Sequence, residues 1–381
     1  MIKVVSLRKV RKIKLKDKYI SVIKVIGIIL CILLGIYIFY SKQISSLTNL
    51  GYSKEASKNI LFSLKKDYVL SKGENKTLNA AFESDDYDEK NLSRYSNIDY
   101  VNQKHLIKNI NKLIEIGYSN SDINMILSHG DDSEVTRFTK RERIKYLDEF
   151  FSVSYAKLDN YDRYVKYSDE TGEDEDYVVL YVNLNLDKDV YTDAFTVNDF
   201  SYDMLINKHR CLKKSFKPKS LVKIDTKYTN GDVYYGNSVA VNAFISMAKA
   251  ADKEGLGLVI NSAYRSYEDQ EEIADTYKNL YGDDYVTKYV AKPGFSEHQT
   301  GLAFDIGSTS KKVFADSSEY EWMKSNAYKY GFILRFSKRY EDITQFRSEP
   351  WHYRYVGKKI AKYIYENNIT LEEYYAMFLD K

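Results

Sequence analysis

Residues 19 to 40 constrain this chain of 381 residues more than any other segment. From Val25 to Tyr40 the sequence contains no charged or amide side chain. A bilayer core is spanned by ~20 predominantly apolar residues in a helix. Lys24 stands at one end, where its stem can snorkel toward water, and Tyr37 and Tyr40 mark the other interface. Ahead of the run, residues 1–18 carry eight Lys and Arg against Asp17 alone. The positive-inside rule then puts residues 1–18 in the cytoplasm as a basic tail and everything from about residue 41 outside. The run is longer than an ordinary signal-peptide core, no Ala-x-Ala site follows, and Cys31 follows Leu30 rather than a small residue. An uncleaved single-pass anchor at 19–40 is expected, in preference to a signal peptide or a lipoprotein site.

The whole chain has a net charge of +3, so with the basic tail removed the remainder is net acidic. No nucleic-acid partner is expected from it. Hydrophobic residues make up 44%, enough for packed domains. The only cysteines, Cys31 and Cys211, fall on opposite sides of the expected membrane and cannot pair. Any metal outside is therefore left to His, Asp and Glu. Tyrosine is abundant, 37 residues, and suits half-buried surfaces and the stacking of saccharide or peptide.

Beyond the anchor, residues 41–200 read as a mainly helical extracytoplasmic region. Leu50-Gly51-Tyr52-Ser53 is echoed by Ile116-Gly117-Tyr118-Ser119. Glycine closing one helix and serine capping the next would make both copies helix-turn-helix corners. A spacer, or a docking arm for a protein partner, is the role this region suggests. The acidic stretch 168–176 reads as a solvated turn, and Tyr177–Leu184, rich in valine and tyrosine, as a strand.

Residues 201–381 alternate helices and strands. Helices are expected from Ser238, from the Ser266 cap to about Tyr281, and from Ser317 to a stop at Gly331. Strands are expected at 256–262, 301–306, 332–336 and 351–356, with two terminal helices, the last capped by Thr370. The fold class is α+β, a small antiparallel sheet with helices packed on it.

This region holds the chemistry. His298 and Asp305 are seven apart across a turn into a strand, and Asp305 falls between Phe304 and Ile306, so its side chain faces away from theirs. His352 lies at the start of another strand. Two imidazoles and a carboxylate fill three positions of a catalytic zinc site and leave the fourth for water. Glu349, three residues before His352, is then better placed as general base than as a fourth ligand. Arg265, after a strand and before a helix, suits a substrate carboxylate or a developing oxyanion. Ser296, Gln270, Ser266 and Trp351 complete the candidate substrate contacts. His105, His129 and His209 have no such company and read as structural.

In these residues the chain resembles the VanY-type D-alanyl-D-alanine carboxypeptidases and their L,D-carboxypeptidase relatives. The family pattern Ser-x-His-x-x-Gly-x-Ala-x-Asp, then Glu-x-x-His, is met by Ser296, His298, Gly301, Ala303, Asp305, Glu349 and His352; Tyr264-Arg265-Ser266 and Gln270 also fit, with Ala263 where glycine is common. The resemblance covers roughly residues 204–360. It implies Zn2+ held by His298, Asp305 and His352, Glu349 as base, and removal of a terminal D-alanine from peptidoglycan stem peptides by attack of zinc-bound water. Endopeptidase or dipeptidase action at the same site, or a non-catalytic zinc-containing wall-binding module, are the alternatives. Loss of function usually removes a ligand or the base, and all are present.

Overall fold

The computed structural model describes residues 3–144, 147–310 and 312–380, with the side chains of 3–18 left aside. The chain divides into two compact units, Met1–Asp148 and Glu149–Lys381.

The first unit is helical. It opens with a helix Lys3–Thr48, in which an 18-residue window of Tyr19–Thr48 has a mean hydropathy of 2.8 and the apolar side chains from Tyr19 to Tyr40 are exposed. By length and composition this helix is long enough to cross a membrane. The Gly-Tyr-Ser echo is structural. Gly51 and Gly117 both take left-handed backbone, φ +100° and +99°, which only glycine adopts at little cost. Ser53 caps the helix Lys54–Phe62 and Ser119 caps Asn120–His129, the latter with a full capping box through Asp122. Tyr52 and Tyr118 are buried between the corners; Tyr52 donates to Gly73 O at 3.0 Å and Tyr118 accepts from Ile144 N at 2.9 Å.

The corners extend beyond the two copies legible in sequence. Gly73 and Asn75 repeat the arrangement, with Gly73 at φ +74° and Asn75 capping Lys76–Glu83. Asparagines tie each corner to the next: Asn79 accepts from Ser53 N, Asn59 donates to Phe82 O, Asn111 donates to Asp86 O, and Asn124 accepts from Asp99 N, over separations of 23 to 26 residues.

The second unit carries a four-stranded antiparallel sheet in the order Leu258–Ser262, Ala303–Ser308, Glu349–Tyr355, Phe332–Phe336. Two smaller pairs accompany it: Phe195–Val197 runs parallel to Arg210–Leu212, and Leu221–Lys223 antiparallel to Tyr235–Asn237. The helix Ser238–Asp252 lays Ala240, Val241, Phe244, Met247, Ala248 and Ala251 on the sheet at helical spacing. Their partners are Ile260, Phe304, Ile306, Phe332 and Tyr353. Each large side chain so buried is worth roughly 1.5–3 kcal/mol. The caps at Ser266 and Thr370 form with capping boxes, and Gly331 ends its helical segment in left-handed backbone.

Two sequence expectations change. Tyr177–Leu184 belongs to a helix, Glu175–Asn183, not a strand. Asp174 caps it by accepting from Tyr177 N at 2.9 Å, and Glu175 and Asp176 occupy the positive end of its dipole. These local gains, with burial of Val178, Val179 and Val182, override the strand preference of the valines. The compact unit also begins at Glu149, well ahead of the boundary at residue 201. Leu180, Leu184 and Leu186 share a core with Ile333, Val356, Ile364 and Leu371, so this helix packs into the second unit.

Candidate active site

Asp305 and His352 are directly paired across adjacent antiparallel strands, so their side chains emerge side by side on one face. Phe304 and Ile306 enter the core on the opposite face. The ladder is irregular between Ile260 and Ser262, beside Asp305, and again where Leu334 and Phe336 meet Tyr353 and Glu349. Such bulges re-aim side chains. The second one accounts for Glu349 and His352 facing each other, because residues three apart on a regular strand point to opposite faces. Glu349 Oε2 lies 3.4 Å from His352 Nδ1.

His298 arrives on a short helical turn, Glu297–Thr300, closed by Gly301 at φ +69°. Its Nδ1 donates to Ala263 O at 2.6 Å, which aims Nε2 into the site. Nε2 of His298 and Oδ1 of Asp305 are buried and make no hydrogen bond, although they lie 3.4 Å apart. His352 Nδ1 is 3.3 Å from the same Oδ1. One ligand atom from each of the three residues falls within a 4.8 Å cluster. The 3.4 and 3.3 Å separations to Asp305 Oδ1 match those between atoms that share one zinc ion at ~2.1 Å, and the third pair lies within 4.8 Å. Two orphaned buried atoms and a two-nitrogen, one-oxygen donor set fit zinc.

Both imidazoles are oriented from behind, as metal-ligating histidines are. His298 uses the Ala263 carbonyl. His352 Nε2 faces Glu297 Oε2 at 3.3 Å. Glu297 is fully enclosed and also accepts from Arg335 Nε at 2.8 Å and Arg354 Nη1 at 2.9 Å. Arg335 in turn makes a two-pronged pair with Glu372 at 2.8 and 2.6 Å. Burial pushes the Glu297 carboxyl up, but the two guanidiniums outweigh it and hold it well below the usual range. Sequence reading missed this network. Its only trace is Glu297 within the motif and an arginine inside each of two apolar strands.

The electrostatics separate the carboxylates. Burial raises Asp305, yet the two imidazoles outweigh it and hold it well below the ordinary value. Burial pushes Glu349 up to about 7, against the pull of His352. Burial lowers His298 to about 4, helped by Arg265. At His352 burial acts downward, but Asp305 and Glu297 prevail and hold it at about 9. A cation among the ligands would take over that counter-charge and release the proton.

A cavity of about 430 Å³ opens over these groups. Arg265 lines it, half-buried, with Nε buried and unpartnered. Ser296, Gln270 and Trp351 line it too, Trp351 remaining 44% exposed at the rim. Gln270 is half committed: Nε2 donates to Ala291 O at 2.8 Å, and Oε1 is buried without a partner. Ser266 is occupied differently, its hydroxyl accepting from Asp269 N in the helix cap. His209 is buried against Gln345, as a structural residue.

A family model described as VanY, D-alanyl-D-alanine carboxypeptidase, matches residues 235–358. The bifunctional D-Ala-D-Ala dipeptidase and carboxypeptidase VanXYC of Enterococcus gallinarum is 34% identical over 178 residues, 45% of this chain and 92% of that protein. This chain belongs to the VanY family. The putative carboxypeptidase YodJ of Bacillus subtilis is 44% identical over 179 residues, 45% of this chain and 66% of YodJ. A solved LdcB LD-carboxypeptidase is 41% identical, covering 50% of this chain and 92% of that one, with a TM-score of 0.46. The chain spans about half to two thirds of the length of the first curated relatives it matches. Within the VanY match lie every candidate ligand, the candidate base Glu349, and Arg265.

Proposed function

We propose that the protein is a membrane-anchored zinc carboxypeptidase that removes a terminal D-alanine from peptidoglycan stem peptides. The observation that carries this reading is the cluster of His298 Nε2, Asp305 Oδ1 and His352 Nδ1 beside the half-buried carboxylate of Glu349, in a chain of the VanY family. Zinc, when bound, would supply Lewis acidity toward water and the scissile carbonyl.

The chain's own groups do the rest. His298, Asp305 and His352 would hold the ion. Glu349 accepts the proton from water and later delivers it to the leaving amine, a task suited to a carboxyl near pH 7. Arg265 offers an unpaired guanidinium edge to the substrate's terminal carboxylate or to the oxyanion. Gln270 Oε1 and Ser296 orient the end of the peptide. A cavity of about 430 Å³ takes more than a dipeptide, which favours a longer stem over free D-alanyl-D-alanine.

The apolar helix and the basic residues before it support a single-pass anchor with a cytoplasmic N-terminus and an exterior site, where the wall lies. The stacked corners of the first unit serve as a spacer or docking arm.

The test is D-alanine release by the zinc-loaded protein and by Glu349→Ala. Release by the first, and none by the second with zinc still bound, supports the assignment. Undiminished release by Glu349→Ala removes Glu349 as base.

A further inference from the structure

One wall of the cavity is a row of tyrosines. Tyr277, Tyr281, Tyr285 and Tyr289 recur every four residues from the helix Tyr267–Tyr281 into the helix Asp283–Tyr289. The spacing survives the break at Gly282. Tyr277 and Tyr285 are parallel within 2° at 6.1 Å; Tyr281 and Tyr285 are 4.6 Å apart, Tyr285 and Tyr289 4.7 Å. Tyr277, Tyr285 and Tyr289 line the same cavity as the ligand residues. The row is nevertheless open to solvent, Tyr281 at 59% and Tyr289 at 45%, with Leu280 beside them at 66%.

The wall is held firmly. Its inner face packs Ala274, Val286 and Val290. Gln270 binds Ala291 O behind it, and the buried Lys208 donates to Thr287 O at 2.7 Å. Three exposed rings, joined through the half-buried Tyr285 beside the cavity, form a contiguous aromatic surface that folding alone does not require.

Resting on the carboxypeptidase reading, we infer that this tyrosine row is a saccharide subsite, which takes the amino sugar that carries the stem peptide. The peptide end fills the cavity, and the non-reacting remainder of the substrate must leave along its wall. Stem-peptide side chains are small or charged and have no flat apolar face. A pyranose ring has one, edged by hydroxyl and acetamido groups. A tyrosine row matches both features, with apolar ring faces for C–H contact and hydroxyls at the edge for hydrogen bonds.

The test compares one stem peptide, free and attached to the N-acetylglucosaminyl–N-acetylmuramyl disaccharide, with the zinc-loaded protein. The sugar-bearing form should show kcat/KM higher by about tenfold, the scale of one good aromatic contact. Tyr281→Ala should lose that preference and keep its turnover of the free peptide, whereas Tyr281→Phe, which retains the ring, should keep most of the preference. Saturation-transfer NMR with the disaccharide alone reports on the subsite whether or not turnover occurs. Equal kcat/KM for both forms with no disaccharide binding overturns the inference, as does an equal loss on both substrates in Tyr281→Ala. Absence of D-alanine release from either substrate, with disaccharide binding intact, counts against the carboxypeptidase reading and leaves the subsite standing.

Discussion

Glu297 holds His352 from behind: its Oε2 lies 3.3 Å from His352 Nε2, while its Oε1 takes both Arg335 and Arg354. The carboxylate therefore fixes which nitrogen of His352 faces Asp305. Together with Glu372 it also neutralises two guanidiniums that have no access to water. Glu297→Ala should destabilise the fold by about 3–5 kcal/mol, because it leaves buried charge unpaired. It should also weaken zinc binding by roughly 10–100-fold. Chemical denaturation and competition against a chelator read the two effects separately. Unaltered zinc affinity in a folded Glu297→Ala protein would remove the positioning role.

Glu349, the proposed base, should set the acid limb of the pH profile. Its carboxyl is raised to about 7 chiefly by burial, and only the deprotonated form accepts a proton from water. The rate constant kcat/KM should therefore fall about tenfold per unit as pH drops below that value. Bound zinc draws the limb lower, so it belongs at or below pH 7. A limb that still rises above pH 8 would assign the titration to another group.

Arg265 is half-buried in the cavity wall, with its Nε unpartnered and the charges of Asp305 and Glu349 nearby. Arg265→Lys keeps the charge and loses the planar fork, so it should not rescue. We expect kcat/KM to drop at least a hundredfold in both Arg265→Lys and Arg265→Ala, a loss of the order seen when an oxyanion donor is removed. Near-normal turnover by the lysine variant would show that charge alone suffices.

The grouping of His298, Asp305 and His352 was legible because two of them fall on strand-like runs and the third sits on a turn with its own glycine signature. Asp305 between Phe304 and Ile306 already told which face it occupies. The network of Glu297, Arg335, Arg354 and Glu372 was not legible, since its members are dispersed over 75 residues and only packing brings them together. Tyr177–Leu184 misled because a valine-rich run states a preference, while the deciding Asp174 cap stood just outside it. The further corner of the first unit, at Gly73, was hidden by a change of residue. Asn75 does at Gly73 what Ser53 does at Gly51, so a search for Gly-Tyr-Ser passes over it.

The caps of the first unit predict a local effect. Ser119→Ala removes the bond to Asp122 N and should cost about 1 kcal/mol. Hydrogen exchange should quicken in the helix Asn120–His129, with D-alanine release unchanged. A comparable loss of catalytic rate would give this unit more than a spacer's part.

Mass spectrometry of the products from tetrapeptide and pentapeptide muropeptides, incubated with the zinc-loaded protein, tests the central claim most directly. The account predicts loss of a single C-terminal D-alanine from at least one of them, abolished by chelation and by Asp305→Asn. Cleavage confined to an internal bond, or intact substrates with zinc bound at the site, would contradict it.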